Sequence, residues 1–141
     1  MLKGIPSIIS PELLKILMEM GHGDEIVIAD GNFPGASHAK ILVRADGHSV
    51  PEILEAILKL MPLDSYAQNV YLMQKMDCDK DLNIPIWDKY RKIAAEHTDR
   101  EPEMVDRFDF YDQAKKAYAV IATGETAIYA NVILKKGVVI E

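Results

Sequence analysis

Met20-Gly21-His22-Gly23-Asp24-Glu25-Ile26-Val27-Ile28-Ala29-Asp30 is the stretch on which the reading of this chain turns. The nearly unbroken apolar run from Glu25 to Ala29 has two isoleucines and a valine, the pattern of a strand covered on both faces. Such strands belong to parallel sheets wrapped in helices. Two glycines hold His22 at a tight corner between an arriving helix and that strand. Asp30 stands at the strand's carboxyl end, where an open α/β sheet keeps its ligand crevice. His22 and Asp30 are read together as one wall of an active site.

Upstream, Ser10-Pro11-Glu12 is a helix start: a capping hydroxyl, a proline needing no N–H partner, and an acid near the positive dipole end. Leu13, Leu14, Ile16, Leu17 and Met20 follow on one face, with Gly21 as the stop. Downstream, Gly31 to Ala39 reads as a loop able to close over Asp30, and Lys40 to Arg44 as a short strand. Ser49-Val50-Pro51-Glu52 has capping-box spacing and opens a helix that Pro62 ends. Leu63 to Tyr66 is a turn, Asn69 to Gln74 a strand, Met76 to Asn83 an acidic irregular stretch, and Pro85 to His97 a third amphipathic helix. Met104 to Phe108 reads as an edge strand, and Asp109 as the cap of a short helix through Lys116. Tyr118 to Thr123 and Asn131 to Lys135 are further strands. Strands alternating with helices predict one three-layer α/β domain over residues 1–141, its mostly parallel sheet flanked by helices.

A chain of 141 residues suffices for one core. Its 49% hydrophobic and 27% charged residues suit a globular protein rather than a disordered one. The net charge of −6, with dense basic pairs only at Lys115-Lys116 and Lys135-Lys136, argues against nucleic acid as a partner. Cys78 is the sole cysteine, so no internal disulfide forms and a cysteine-based zinc site is excluded. With no apolar stretch of signal-peptide or membrane-spanning length, the expected location is the cytoplasm, and no membrane partner is expected.

Histidine titrates near neutrality, so an exposed His22 beside a carboxylate suits general acid/base work; the plain alternative is a surface histidine at a helix-ending corner. Asp30 is either a ligand-binding carboxylate or the Asx cap of the loop it begins. His22, Asp24 and Asp30 could build a metal site, but no metal-ligand spacing supports one. The run Asp77-x-Asp79-x-Asp81-x-Asn83 has Leu82 where a calcium loop needs glycine, so it reads as a solvated acidic loop. Acidic neighbours disfavour a Cys78 thiolate. Gly21-His22-Gly23 lacks the third glycine and the strand-to-helix order of a dinucleotide cradle. Tyr129-Ala130-Asn131 offers planar apolar area and paired donors and acceptors, as sugar hydroxyls require, or else a plain hairpin with a buried tyrosine. Arg107 and Tyr111, flanking Phe108 and Phe110, stand in the same position.

Taken together, seven blocks resemble the L-fucose mutarotase family, whose sister branch is D-ribose pyranase. They are Ile8 to Leu14; Met20 to Ile26; Asp30 with Asn32-Phe33-Pro34; Arg44-Ala45-Asp46-Gly47; Leu63-Asp64-Ser65-Tyr66; Arg107-Phe108-Asp109-Phe110-Tyr111; and Thr123-Gly124-Glu125 through Tyr129-Ala130-Asn131 to Val138. The resemblance implies a D-ribose pyranase-like fold and an isomerase that exchanges sugar anomers without a cofactor. It implies His22 as proton donor, Asp30, Arg107, Tyr129 and Asn131 as sugar-holding residues, Asp64 and Tyr111 as assistants in proton transfer or binding, and Met73 as pocket lining. It also implies a pentameric or decameric ring with sites between subunits. Arg44-Ala45-Asp46-Gly47 and Tyr111 are similar to the fucose branch; the ribose branch tends to carry histidine in place of Tyr111. Ala130, where fucose enzymes often have glycine, and the short Gly35 to Lys40 loop depart from it. D-ribose pyranase activity and a non-catalytic sugar-binding accessory are the alternatives.

Overall fold

The computed structural model of the chain describes residues 1–141. Helix α1 (Pro11–Glu19) begins as its sequence dictates, the Ser10 hydroxyl accepting the Leu13 N–H at 3.1 Å. Its end differs from expectation. Only Gly4 and Gly23 among the glycines have positive φ, and Met20 leaves the helix in extended geometry. The last carbonyls are satisfied by Lys136, whose ammonium donates to Leu17 O at 2.8 Å and Met20 O at 2.6 Å. A side chain over a hundred residues away supplies the stop that glycine often gives locally.

Strand β1 (Glu25–Ala29) leads to a short helix α2 (Gly35–His38) within the stretch expected as loop, then to β2 (Leu42–Ala45). Helix α3 (Val50–Leu58) has both halves of the Ser49/Glu52 capping box and ends before Pro62 is reached. Strand β3 (Val70–Met73), a 3₁₀ turn at Asp77–Asp79, helix α4 (Ile86–Ala95) and strand β4 (Glu103–Val105) follow. Helix α5 (Arg107–Lys116) starts earlier than Asp109, so Arg107 and Phe108 lie in its first turn, not in an edge strand. Strands β5 (Ala119–Thr123) and β6 (Val132–Lys135) complete the chain.

The six strands form one mixed sheet in the order β2-β5-β1-β6-β3-β4. β1, β2 and β5 run parallel, as do β3 and β4, while β6 runs antiparallel to both neighbours, β1 and β3. The sheet is therefore mostly parallel with one reversed strand inside it. Odd and even residues serve opposite faces. Ile26, Ile28, Leu72, Ile121, Val132 and Leu134 pack beneath α1, α3 and α4; Val27, Ala29, Met73, Val120 and Ile133 pack beneath α5, chiefly Phe110 and Ala114. This double cover is why β1 reads as a continuous apolar run. After β1 the chain turns one way to β2, and after β2 it crosses to β3 on the other side. That reversal opens a crevice at the carboxyl ends of β1 and β3, where β6 enters.

Candidate active site

Each segment that reaches this crevice lies at the same end of the sheet, where β1, β3 and β4 finish and the reversed β6 starts. Asp30 follows β1, Met73 ends β3, Arg107 follows β4, and Tyr129 and Asn131 precede the reversed β6. With Asn32, Phe33, Met76, Tyr111 and Ile128 they line a cleft of about 170 Å³. The Asn131 side-chain Oδ1 accepts the Asp30 main-chain N–H at 2.7 Å, which fixes the amide beside the Asp30 carboxylate. Asp30 is buried, and its carboxylate accepts N–H groups from Asn32 (3.0 Å) and Ala130 (3.2 Å). Burial still dominates, pushing its pKa above the ordinary value. Arg107 donates to the Tyr111 hydroxyl at 3.0 Å and lies over the Tyr111 ring.

Tyr129 holds the only positive φ among non-glycine residues, 53°. Such a conformation persists only where surrounding contacts enforce it. The Trp87 indole N–H donates to the Tyr129 carbonyl and the Tyr90 hydroxyl to the Ala130 carbonyl, each at 2.8 Å.

His22 is elsewhere. It precedes β1 while Asp30 follows it, and a five-residue strand spans about 16 Å. The expected single wall of His22 and Asp30 therefore does not form within the chain, because the apolar run that identifies the strand also separates its two ends. The same separation dissolves the candidate metal trio: Asp24 accepts the Gly21 N–H at 2.7 Å, locking the corner, and Asp30 is at the far end. What His22 does meet is Asp64, which the turn before β3 brings to the same end, Nε2 to Oδ1 at 3.0 Å. Asp64 is buried and His22 is exposed. The hydrogen bond from His22 holds the Asp64 carboxyl below its ordinary value. An ionised carboxylate only accepts, so Nε2 donates the hydrogen bond to it.

The candidate residues thus fall into two groups at opposite ends of the strands: Asp30, Met73, Arg107, Tyr111, Tyr129 and Asn131 in the cleft, and His22 with Asp64 as a pair. Sequence reasoning missed Asn32, Phe33, Met76 and Ile128 as lining, and Asp79, which accepts the Tyr129 hydroxyl at 2.6 Å. Met76 and Ile128 sit in irregular segments without periodicity. Asp79 lay in a run whose composition reads as a solvated loop.

Fucose mutarotase from Danio rerio is 52% identical over 144 residues, covering 98% of this chain and 94% of its own length. The crystal structure of the fucose mutarotase in complex with L-fucose from Streptococcus pneumoniae superposes with a TM-score of 0.92 at 52% identity, covering 99% of this chain and 100% of that one. Bacillus subtilis RbsD, solved with D-ribose, superposes with a TM-score of 0.78 at 28% identity, covering 99% and 100%. The model of the RbsD / FucU transport protein family matches residues 3–139, and the chain belongs to that family.

Proposed function

We propose that the protein is an L-fucose mutarotase, an isomerase that exchanges the α and β anomers of L-fucopyranose. The observation that carries this reading is the cleft at the sheet's crevice, in a chain half-identical over its whole length to fucose mutarotases. Buried polar groups, Asp30 and Asn131, face apolar walls of Phe33, Met73, Met76 and Ile128. Hydroxyls need the first and the C5 methyl group of a 6-deoxyhexose suits the second; ribose has no such methyl.

Anomer exchange opens the hemiacetal. A base takes the anomeric O–H proton, the C1–O5 bond breaks as an acid protonates the ring oxygen, C1–C2 rotates, and reclosure reverses both transfers on the other face. No electrons leave the sugar, so no redox cofactor is needed. His22 is the group we assign to proton transfer, its Asp64 partner fixing the ring's orientation and tautomer. Asp30, Arg107 and Asn131 hold hydroxyls, Tyr111 assists through its contact with Arg107, and Tyr129 presents its ring.

Since the dyad and the cleft occupy opposite ends of the strands of one chain, a working site joins the His22 end of one chain to the cleft end of its neighbour. Such a contact is heterologous, and with a closing rotation it makes a ring, in keeping with a pentamer or a decamer of two rings. Apolar residues exposed at both ends of the strands favour it: Tyr66 (76% exposed) beside His22, Ile128 (48%) at the cleft, and Phe108 (68%) against Arg107. Cys78 is unpaired and exposed, which suits a reducing compartment, and we place the enzyme in the cytoplasm. No helix is long and apolar enough to cross a membrane.

Saturation-transfer NMR tests the reading. L-fucose anomers should exchange faster with the protein than in buffer. Acceleration only of pyranose–furanose exchange in D-ribose would instead assign the ribose activity, and sugar affinity without any acceleration would make the protein a binding accessory.

A further inference from the structure

We infer that Asp79, in the acidic turn between β3 and α4, is a positioning residue for the sugar cleft. By accepting the Tyr129 hydroxyl it fixes the aromatic wall against which the sugar packs. The inference rests on reading the cleft as a monosaccharide site.

Three contacts already pin the Tyr129 backbone in its left-handed conformation: the Trp87 indole on its carbonyl, the Tyr90 hydroxyl on the next carbonyl, and Asp30 on the next N–H. None of them reaches the ring. A half-buried tyrosine at the mouth of a cleft keeps its side-chain torsions unless its far end is also tied, and disorder there is lost on binding at the expense of affinity. The turn ties it twice. The phenol donates to Asp79 Oδ2 at 2.6 Å and accepts the Met76 N–H at 3.3 Å. Met76 also meets Arg107, its sulfur accepting from Arg107 Nη1 at 3.3 Å.

A phenol has one proton, and here Asp79 receives it. Tyr129 is therefore no hydrogen-bond donor to the sugar; what it offers is a ring face, beside Met73, Met76 and Ile128. The Asp79 contact also holds the phenol pKa above its ordinary value, with burial second. Cys78 on the same turn and Arg107 of α5 are the other ionisable groups that bear on it.

The test compares Asp79→Ala with Asp79→Asn in the full chain. Asp79→Ala should raise KM for L-fucose about five- to tenfold while kcat stays within about twofold, because the lost contact orders the cleft rather than moving a proton. Asp79→Asn, which keeps an acceptor oxygen, should stay near the unmodified KM. Ultraviolet difference titration, with the Tyr129 signal assigned by comparison with Tyr129→Phe, should show the phenol titrating at lower pH in Asp79→Ala. An unchanged KM, a loss confined to kcat, or equal losses in both variants would overturn the inference. If the unmodified chain gives no exchange above buffer, the functional reading fails by itself; the titration then decides, and an unmoved phenol overturns the Asp79 contact as well.

Discussion

The Asp64 carboxylate is the residue whose state His22 controls most directly. Its pKa is held below the ordinary 3.8 by the His22 hydrogen bond, so folding favours its ionised form. That contribution is complete above the ordinary value and is lost as pH falls through the lower folded one. The stability gap between the unmodified protein and Asp64→Asn, measured by urea unfolding at successive pH, should therefore narrow below about pH 3.8. A gap that persists unchanged into that acid range would contradict the contact. Asp30 behaves oppositely, since burial raises its pKa. Individual residue types were legible from the sequence, but their pairing was not. Glycine neighbours announce that His22 is displayed; nothing local announces Asp64, forty-two positions on, as its partner.

Elements were most legible where local signals agree with burial. The Ser10 cap and the Ser49/Glu52 box both form, and the β1 run is a strand buried on both faces. The short helix α2 escaped notice because Pro34 and Gly35 carry loop chemistry, and no side chain caps its start. The reversed direction of β6 was equally hidden, since a buried strand carries the same apolar pattern in either orientation. Loops between elements set the cleft, and Gly124 shows how. A Cβ there would run into the main-chain carbonyl of Asp46, in the turn after β2. Backbone cannot yield as a flexible side chain does, so Gly124→Ala should cost about 1–3 kcal/mol in urea unfolding. It should also weaken sugar binding, because Glu125 accepts the Gly31 N–H at 2.8 Å beside Asp30. A variant of unchanged stability would show that the turn is looser than its packing indicates.

At the scale of the molecule, the sheet's direction sorts the functional groups to its two ends. One chain holds the Asp30 cleft at one end of its strands and the His22–Asp64 pair at the other. Chains carrying His22→Ala and chains carrying Asn131→Ala should each lack activity, yet a mixed assembly formed by co-expression should regain part of it by joining an intact dyad to an intact cleft. Activity of the mixture no greater than the sum of its parts would place the reaction within one chain. No pattern in the sequence indicates this division by itself, because periodicity reports which face a residue occupies and not which neighbour it meets. The most direct measurement is saturation-transfer NMR of L-fucose with the unmodified protein and with His22→Ala. The account predicts exchange well above buffer for the first and, with a positioned acid/base group worth about 10²- to 10⁴-fold, a return to the buffer rate for a folded His22→Ala. Equal acceleration by both would remove the imidazole from the reaction and contradict the account.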